Sequence, residues 1–227
     1  MKNMFSSGIY DEKVDAQGHE QFKKLPTFDP ENVQTWFEVA IGEKDDPNKK
    51  KGKIYFEVFS KLVPKTAENF RVYCEGTRAW CYSYKDCIFH RLVPEKYVHG
   101  GDVDCHTGRG GLSIYGKRYE DENVWLPHTH KGILTNAVTK ENDNSCQFLI
   151  TYGACPELNL HNTVFARVIK NFEFVEDFED VGQDSAGKPL KRIEIIGCGV
   201  LESDKKLKKE QCDSLWIYDQ APYKFTN

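Results

Sequence analysis

The segment from residue 89 to residue 102, FHRLVPEKYVHGGD, concentrates several side chains that could do chemistry. A short strand-like run ends at Arg91, a proline turn follows, and Lys96, Tyr97 and His99 come just before a Gly-Gly-Asp. A guanidinium stays charged and presents several N–H groups in a rigid fork, so Arg91 could donate hydrogen bonds to a substrate. The open question is whether the segment is a working active site or the remains of one.

Other groups of residues suggest metal binding or nucleophilic catalysis only weakly. His128 and His130, near the Cys105-His106 pair, are interpreted as ordinary surface histidines. Cys146 stands beside Gln147, but no motif ties a histidine to it, which argues against a nucleophile. The GRGG run at 108–111 lacks the lysine and the helix start of a phosphate-binding P-loop. We therefore predict no metal and no cofactor.

Charge, hydropathy and cysteine spacing exclude several classes of protein. The 31 Lys and Arg residues against 35 Asp and Glu give a net charge of −4, which is not the footprint of a nucleic-acid binder. No apolar run approaches the roughly 18 to 20 residues that span a bilayer, and the N-terminus lacks the apolar stretch of a secretory signal. The eight cysteines contain no C-x-x-C pair and are interpreted as reduced thiols. We predict a cytoplasmic or cytoskeletal protein without nucleic-acid or membrane partners.

The chain divides into three zones. Residues 1–33 are polar and form an N-terminal arm, 34–201 are rich in strand patterns, and 202–227 form a C-terminal tail rich in aromatic residues. Alternation of apolar and polar residues, or short apolar runs between turn residues, predicts six strands. These strands are 35–41, 53–59, 87–92, 147–152, 163–169 and 192–201.

Two segments of the middle zone have helical patterns. In 63–76 we expect Thr66 as the N-cap and Gly76 as the stop, and in 171–182 we expect Asn171 as the cap and Gly182 as the stop. Many strands with two short helices favour a mainly β fold, a closed antiparallel barrel capped by two helices, over an open sandwich.

Several segments, in the correct order, resemble the cyclophilin family of peptidyl-prolyl cis-trans isomerases. They are VPKTAENF (63–70), FHR (89–91), GGD (100–102), GRGGLSIYGKRYEDEN (108–123), HKGIL (130–134), QFLIT (147–151) and VFARV (164–168). The resemblance covers about 165 residues and implies a closed eight-stranded antiparallel barrel with two α-helices, and Xaa-Pro peptides as substrates. Residues 1–33 and 202–227 fall outside it.

The resemblance also implies roles for single residues. The Xaa-Pro bond isomerises slowly because the amide must lose its partial double-bond character, so a catalyst needs a proline pocket and a donor to the twisted amide. Arg91 matches the family's catalytic arginine, and Gln147 matches the glutamine that binds the peptide backbone. The remaining positions implied for peptide binding are Tyr97, Ala137, Phe148, Leu149 and Leu158.

Several positions depart from the family pattern around that pocket. Lys96 replaces an apolar phenylalanine, His99 a glutamine, Glu157 a tryptophan and Asn162 a histidine. Tyr97 likewise stands where active members have methionine. A large buried apolar side chain contributes about 1.5 to 3 kcal/mol, so the changes predict a degraded pocket and weak or lost isomerase activity.

Aromatic residues in the C-terminal tail suggest a protein partner. We expect Trp216, Tyr218, Tyr223 and Phe225 to anchor in one, because Trp and Tyr dominate interface hot spots; the alternative is that the tail folds back on its own barrel. Our leading hypothesis is a structural or docking subunit of a large assembly, with a ciliary axoneme as a family-level guess. The alternatives are an active isomerase that assists folding and a non-catalytic module that binds proline peptides.

Overall fold

Successive side chains of a strand point to opposite faces of the sheet, so one face of each strand is turned toward a shared core. A computed structural model describes residues 24–76 and 83–219. The strands are β1 (Val33–Ile41), β2 (Lys50–Val58), β3 (Arg91–Val93), β4 (Tyr97–Gly100), β5 (Ile133–Asn136), β6 (Phe148–Thr151), β7 (Val164–Lys170) and β8 (Ile193–Val200). The α-helices of the described residues are α1 (Pro64–Glu75), α2 (Glu173–Glu179) and α3 (Trp216–Asp219).

All strand pairs are antiparallel, and the order in the sheet is β3-β4-β6-β5-β7-β2-β1-β8. The predicted mainly β fold with eight antiparallel strands is confirmed, but the closed barrel is wrong as stated. The sheet curls without a ladder between its end strands β3 and β8. Residues 86–89, just before β3, connect to β8 across the opening between the two end strands. The N–H of Phe89 donates to Ile193 O at 3.0 Å, and the N–H of Ile195 donates to Cys87 O at 2.9 Å. The third helix, α3, was not predicted.

The core inside the curl is aromatic. The Phe37 ring lies 4.9 Å from Phe56 and 5.5 Å from Tyr84, and the Phe70 ring of α1 lies 5.0 Å from Phe165, measured between ring centroids. Helix α1 thus closes one end of the curled sheet with a ring that is 1% exposed. Rings of this size bury large apolar areas, which fixes the strands that carry the site.

Helix α1 begins in a way that local sequence does not reveal. Its N-cap is Val63, with Pro64 at the first helical position, so the predicted cap at Thr66 is wrong. The Glu122 carboxylate, distant in sequence, instead accepts the backbone N–H groups of Lys65 at 2.9 Å and Thr66 at 2.7 Å. The predicted stop is confirmed, because Gly76 is the C-cap with a left-handed φ of 63°.

Helix α2 is shorter than its pattern. Its N-cap is Phe172, so the predicted cap at Asn171 is wrong, and its C-cap is Asp180, two residues before the predicted stop Gly182. Phe174 packs over β2 so closely that a Cβ on Gly52 would lie 2.6 Å from its ring.

A buried ion pair joins both terminal segments to the sheet. Glu57 of β2 and Arg167 of β7 are cross-strand neighbours, and the guanidinium Nη2 lies 2.8 Å from the carboxylate. Arg167 also donates to Pro26 O at 2.8 Å, and its guanidinium carbon lies 5.0 Å from the centre of the Tyr218 ring of α3. The described part of each arm therefore lies on this chain's own sheet.

Within the described ranges, no helix has the length and apolar character needed to cross a membrane.

Candidate functional site

Strand register places the candidate donor on the outer side of the sheet. Arg91, the first residue of β3, pairs with His99 of β4; His99 pairs with Leu149 of β6, and Leu149 with Thr135 of β5. These four residues form the outer row, in which Arg91 is exposed and His99 half-buried, while Leu149 and Thr135 are buried. Their strand neighbours of opposite parity, including Leu92, Val98 and Ile150, point into the core.

Arg91 is exposed, and its guanidinium makes no side-chain hydrogen bond to any residue in the described part of the chain. Its stem lies against the turn at Gly187, where an added Cβ would be 3.4 Å from Cγ of Arg91. The Gly187 carbonyl accepts the N–H of Leu92 at 2.7 Å, which fixes the backbone of β3. The donor therefore stands on a rigid strand with its head free to bind a ligand.

His99 lies beside Arg91 as a neutral group. Its ring centroid is 4.2 Å from that of His90. Burial, followed by the neighbouring His90, lowers the pKa of His99 to about 3, against a hydrogen bond with Gln147 that raises it. Burial likewise lowers the pKa of His90. The two imidazoles therefore add no positive charge beside the guanidinium at neutral pH.

The amide of Gln147 is held by a glycine-rich loop. Its Nε2 donates to Gly108 O at 3.2 Å and Gly110 O at 2.9 Å. The carboxylate of Asp102 holds the same loop by accepting the backbone N–H of Gly108 at 2.7 Å and of Thr107 at 2.9 Å. Backbone hydrogen bonds from Thr107 and other loop residues, together with Asp104, lower the pKa of Asp102 despite its burial. Sequence reasoning missed Asp102 as the organiser of this loop.

Lys96 and Glu157 come together although they are 61 positions apart in the sequence. Their Nζ and Oε1 atoms are 3.3 Å apart, and the side chains are 42% and 47% exposed. Lys96 lies in the turn between β3 and β4, and Glu157 lies in a 3₁₀ turn, Pro156–Leu158. Two positions that were singled out as separate departures thus form one ion pair.

The structure separates the other predicted peptide-binding residues. Leu149 lies in the outer row, and Leu158, Tyr97 and Ala137 are half-buried. The prediction for Phe148 is wrong, because this residue has the opposite parity and its ring packs in the core, 5.3 Å from Tyr84. Its ring therefore lies on the core side of the sheet, away from the outer row.

Asn162 has a structural role in this arrangement. It is 5% exposed, and its Nδ2 donates to Asn136 O at the end of β5 at 2.6 Å. The amide therefore fixes the position of the chain after the 3₁₀ turn that carries Glu157.

The histidines and cysteines set aside in the sequence differ in burial. His128 is fully buried, so its interpretation as a surface residue is wrong; its Nδ1 lies 3.0 Å from Asn159 Oδ1, and burial lowers its pKa to about 4. Burial raises the pKa of Cys146 to about 11, which disfavours a thiolate. One group in the described residues has metal-ligand spacing: Asp102, Asp104 and Cys105. Backbone N–H groups of the loop already occupy both carboxylates.

Two aromatic residues of the predicted partner anchor fall outside the described residues, namely Tyr223 and Phe225. The Tyr218 hydroxyl donates hydrogen bonds within its own chain, to Gly132 O at 2.9 Å and Val168 O at 3.0 Å. This contact agrees with the alternative in which the tail folds back on its own domain. Trp216 is 53% exposed, and its ring lies 5.3 Å from Nζ of Lys131.

Comparison with known proteins covers most of the chain. Residues 45–200 match the family model described as cyclophilin type peptidyl-prolyl cis-trans isomerase/CLD. Peptidyl-prolyl cis-trans isomerase D of Kluyveromyces lactis is 39% identical over 178 residues, which are 75% of this chain and 46% of that protein. E3 SUMO-protein ligase RanBP2 of Homo sapiens is 40% identical over 148 residues, which are 65% of this chain and 4% of that protein. The chain therefore matches less than half the length of either relative.

Proposed function

The chain belongs to the cyclophilin-type peptidyl-prolyl cis-trans isomerase family, and from this premise we propose that it binds Xaa-Pro peptides on the outer row with weak or no isomerase activity. One observation carries the proposal. The ion pair between Lys96 and Glu157 occupies two positions where the family resemblance implies apolar pocket walls, while Arg91 keeps its exposed donor on the neighbouring strand.

The magnitudes favour weak binding of proline. Each apolar wall that is lost removes about 1.5 to 3 kcal/mol of contact, so two walls remove about 3 kcal/mol or more, roughly a hundredfold in affinity. The exposed ion pair that replaces them contributes only about 0.2 to 1 kcal/mol of its own. The pocket thus loses apolar contact with proline. The ion pair that replaces the apolar walls is too weak to keep a peptide out.

A second candidate, the active isomerase, is favoured by Arg91 itself. Its guanidinium is exposed and unengaged within the described residues, as a donor to a twisted amide requires. The long stem of Lys96 can also lie along apolar surface with its ammonium in water, which would restore part of a wall.

An isomerisation assay separates the two candidates. We expect the wild-type protein to show a kcat/KM far below that of an active cyclophilin on Ala-Xaa-Pro-Phe peptides. The double variant Lys96→Phe with Glu157→Trp should raise kcat/KM at least tenfold, and adding Arg91→Ala should remove the gain.

The matched control replaces a partly exposed ion pair between β2 and α2. Lys50 of β2 and Asp177 of α2 are 2.6 Å apart, with side chains 60% and 26% exposed, and Lys50→Phe with Asp177→Trp should leave kcat/KM at the wild-type value. A wild-type kcat/KM equal to that of an active cyclophilin would overturn the weak-activity proposal in favour of the second candidate.

We also propose a docking role within a larger assembly. Its support is the exposed indole of Trp216 on a helix whose neighbours Leu215 and Ile217 are buried, 7% and 2% exposed. A rigidly held, exposed tryptophan is typical of an interface anchor. A cytoplasmic or cytoskeletal location, including an axoneme, stays a prediction from the sequence.

A further inference from the structure

Leu160 is a strained residue with an exposed side chain. Its φ is 64°, in the left-handed region that strains most residues other than Gly, Asn and Asp. Its side chain is 38% exposed and lies outside the core cluster of the sheet. In the described ranges, the other five residues with a positive φ that are not glycine are polar: Asp86, Glu95, His106, Asn142 and Asn171. The leucine therefore adds backbone strain at a surface position, where packing in the core does not offset it.

The turn that carries Leu160 is held on both sides. The carbonyl of Leu158 accepts the N–H of Asn162 at 3.1 Å, which closes the turn around Leu160. Before Leu160, Oδ1 of Asn159 accepts the N–H of His128 at 2.9 Å. After it, Nδ2 of Asn162 donates to the carbonyl of the last residue of β5 at 2.6 Å. These two amide side chains are 8% and 5% exposed, so buried hydrogen bonds keep the strained residue in place.

The turn places Leu160 at the edge of the candidate peptide site. Two residues of chain span at most about 7 Å, so the Cα atom of Leu160 lies within that distance of the Cα atom of Leu158. Glu157, whose carboxylate pairs with Lys96, belongs to the 3₁₀ turn that ends at Leu158. Neighbouring residues of a peptide are about 3.8 Å apart between Cα atoms. A side chain next to a proline bound at Leu158 can therefore reach the exposed surface of Leu160.

We propose that Leu160 is a specificity-determining residue that selects proline peptides with a large apolar side chain next to the proline. The apolar side chain of the peptide covers the exposed part of Leu160, and both surfaces leave water. Because the backbone of Leu160 is fixed in advance, the residue loses little conformational freedom when the peptide binds. This inference rests on the proposed binding of Xaa-Pro peptides and adds the class of peptide that the site takes.

The test measures binding of matched peptides to the full chain by NMR titration. The peptides are Ala-Xaa-Pro-Ala and Ala-Ala-Pro-Xaa with Leu, Asn or Ala as Xaa, because Leu and Asn have similar shapes and differ in polarity. At one of the two positions we expect the wild-type protein to bind the Leu peptide about three- to tenfold more tightly than its Asn counterpart. This ratio should persist at about 0.5 M salt, since salt screens charges and not apolar contacts.

Two substitutions at position 160 assign the preference to its side chain. Leu160→Asn, which suits a left-handed backbone, should bring the Leu-to-Asn ratio of affinities close to one. The matched control is Leu160→Met, which keeps a large apolar side chain on the same backbone and should keep the wild-type ratio. Leu160→Asn should also leave Tm unchanged or raise it by about 2 to 4 °C, because it relieves strain at a surface position.

The outcomes separate this inference from the proposed function. Equal affinities for the Leu and Asn peptides at both positions would overturn the inference and leave the proposed function standing. A preference that survives Leu160→Asn would do the same, and a lowered Tm of that variant would then show that Leu160 only packs within the chain. A wild-type protein that binds none of the peptides would overturn the inference and the proposed function together.

Discussion

His99 stands opposite Arg91 in the ladder of β3 and β4, and its burial decides its charge. The groups around it are His90, Arg91, Asp102 and Gln147, and the balance lowers its pKa to about 3. In the unfolded chain the ring titrates near its ordinary value of 6.5. The unfolded state therefore binds more protons between these two values. The stability that neutral His99 contributes is present above pH 6.5 and is lost as the pH falls toward 3.

We predict that replacing His99 by glutamine weakens the dependence of stability on acidity. From pH 7.5 to pH 5 the wild-type protein should lose about 2 kcal/mol more of its free energy of unfolding than His99→Gln does, since one proton is worth about 1.4 kcal/mol per pH unit. Urea unfolding at both pH values measures the difference. His128, also buried with a lowered pKa, stays in both proteins as an internal reference. Equal losses in the two proteins would show that His99 is not kept neutral by folding.

At the scale of elements, the start of α1 depends on a residue outside the helix. The Glu122 carboxylate accepts two backbone N–H groups that the helix itself leaves unpaired. A negative charge at this end also interacts favourably with the helix dipole. The helix that closes the core is thus joined to the loop that follows the glycine-rich segment.

We predict that Glu122→Ala lowers the free energy of unfolding by about 1 kcal/mol, the usual cost of losing an N-cap. The matched control is Glu120→Ala, because Glu120 is exposed and makes no side-chain hydrogen bond to any residue in 24–76 or 83–219. Its loss should change stability by less than about 0.5 kcal/mol. Chemical denaturation of the two variants compares them directly, and equal effects would contradict the capping role.

Sequence patterns predicted β1, β2, β6, β7 and β8, whether by alternation or as short apolar runs, and missed β4 and β5. β1 and β2 were found because one face is polar, whereas ILTN of β5 is buried at all four residues and gives no alternation. The four-residue strand β4, YVHG, directly follows a turn and is too short to show a period. The cap of α1 could not be read locally, because its carboxylate comes from a residue more than 50 positions away.

The candidate site shows the same limit. The resemblance located Arg91, Lys96 and Glu157 one by one, but only the fold shows that the last two touch. Phe148 was misassigned because the resemblance placed it next to Gln147 without fixing its parity, and strand register turns it into the core.

At the scale of the whole molecule, helix α3 points the aromatic side chain of Trp216 outward. The following residue, Ile217, packs into the core and holds the helix in place. Ile217 is 2% exposed and belongs to the main core, whereas Trp216 is 53% exposed. Folding and the proposed partner binding therefore depend on adjacent residues. A truncation of the tail would disturb both at once.

We predict that Ile217→Ala lowers the free energy of unfolding by about 2 to 5 kcal/mol, because it leaves a cavity in the core, while Trp216→Ala changes it by less than about 1 kcal/mol. Conversely, Trp216→Ala should weaken co-purification with a large assembly when the tagged chain is isolated from its native cell. Undiminished co-purification of Trp216→Ala would argue against the docking role, and stability measurements on both variants keep the two effects apart.

Arg167 contacts both ends of the described chain. Its guanidinium pairs with Glu57 in the sheet, donates to the carbonyl of Pro26 in the N-terminal segment and lies over the ring of Tyr218 in the C-terminal segment. If either terminal segment is released, water reaches the ion pair between Glu57 and Arg167. The other terminal segment also contacts this pair. The two ends are therefore thermodynamically linked through a shared residue. A ligand, protease or neighbouring protein that binds one end changes how tightly the sheet holds the other.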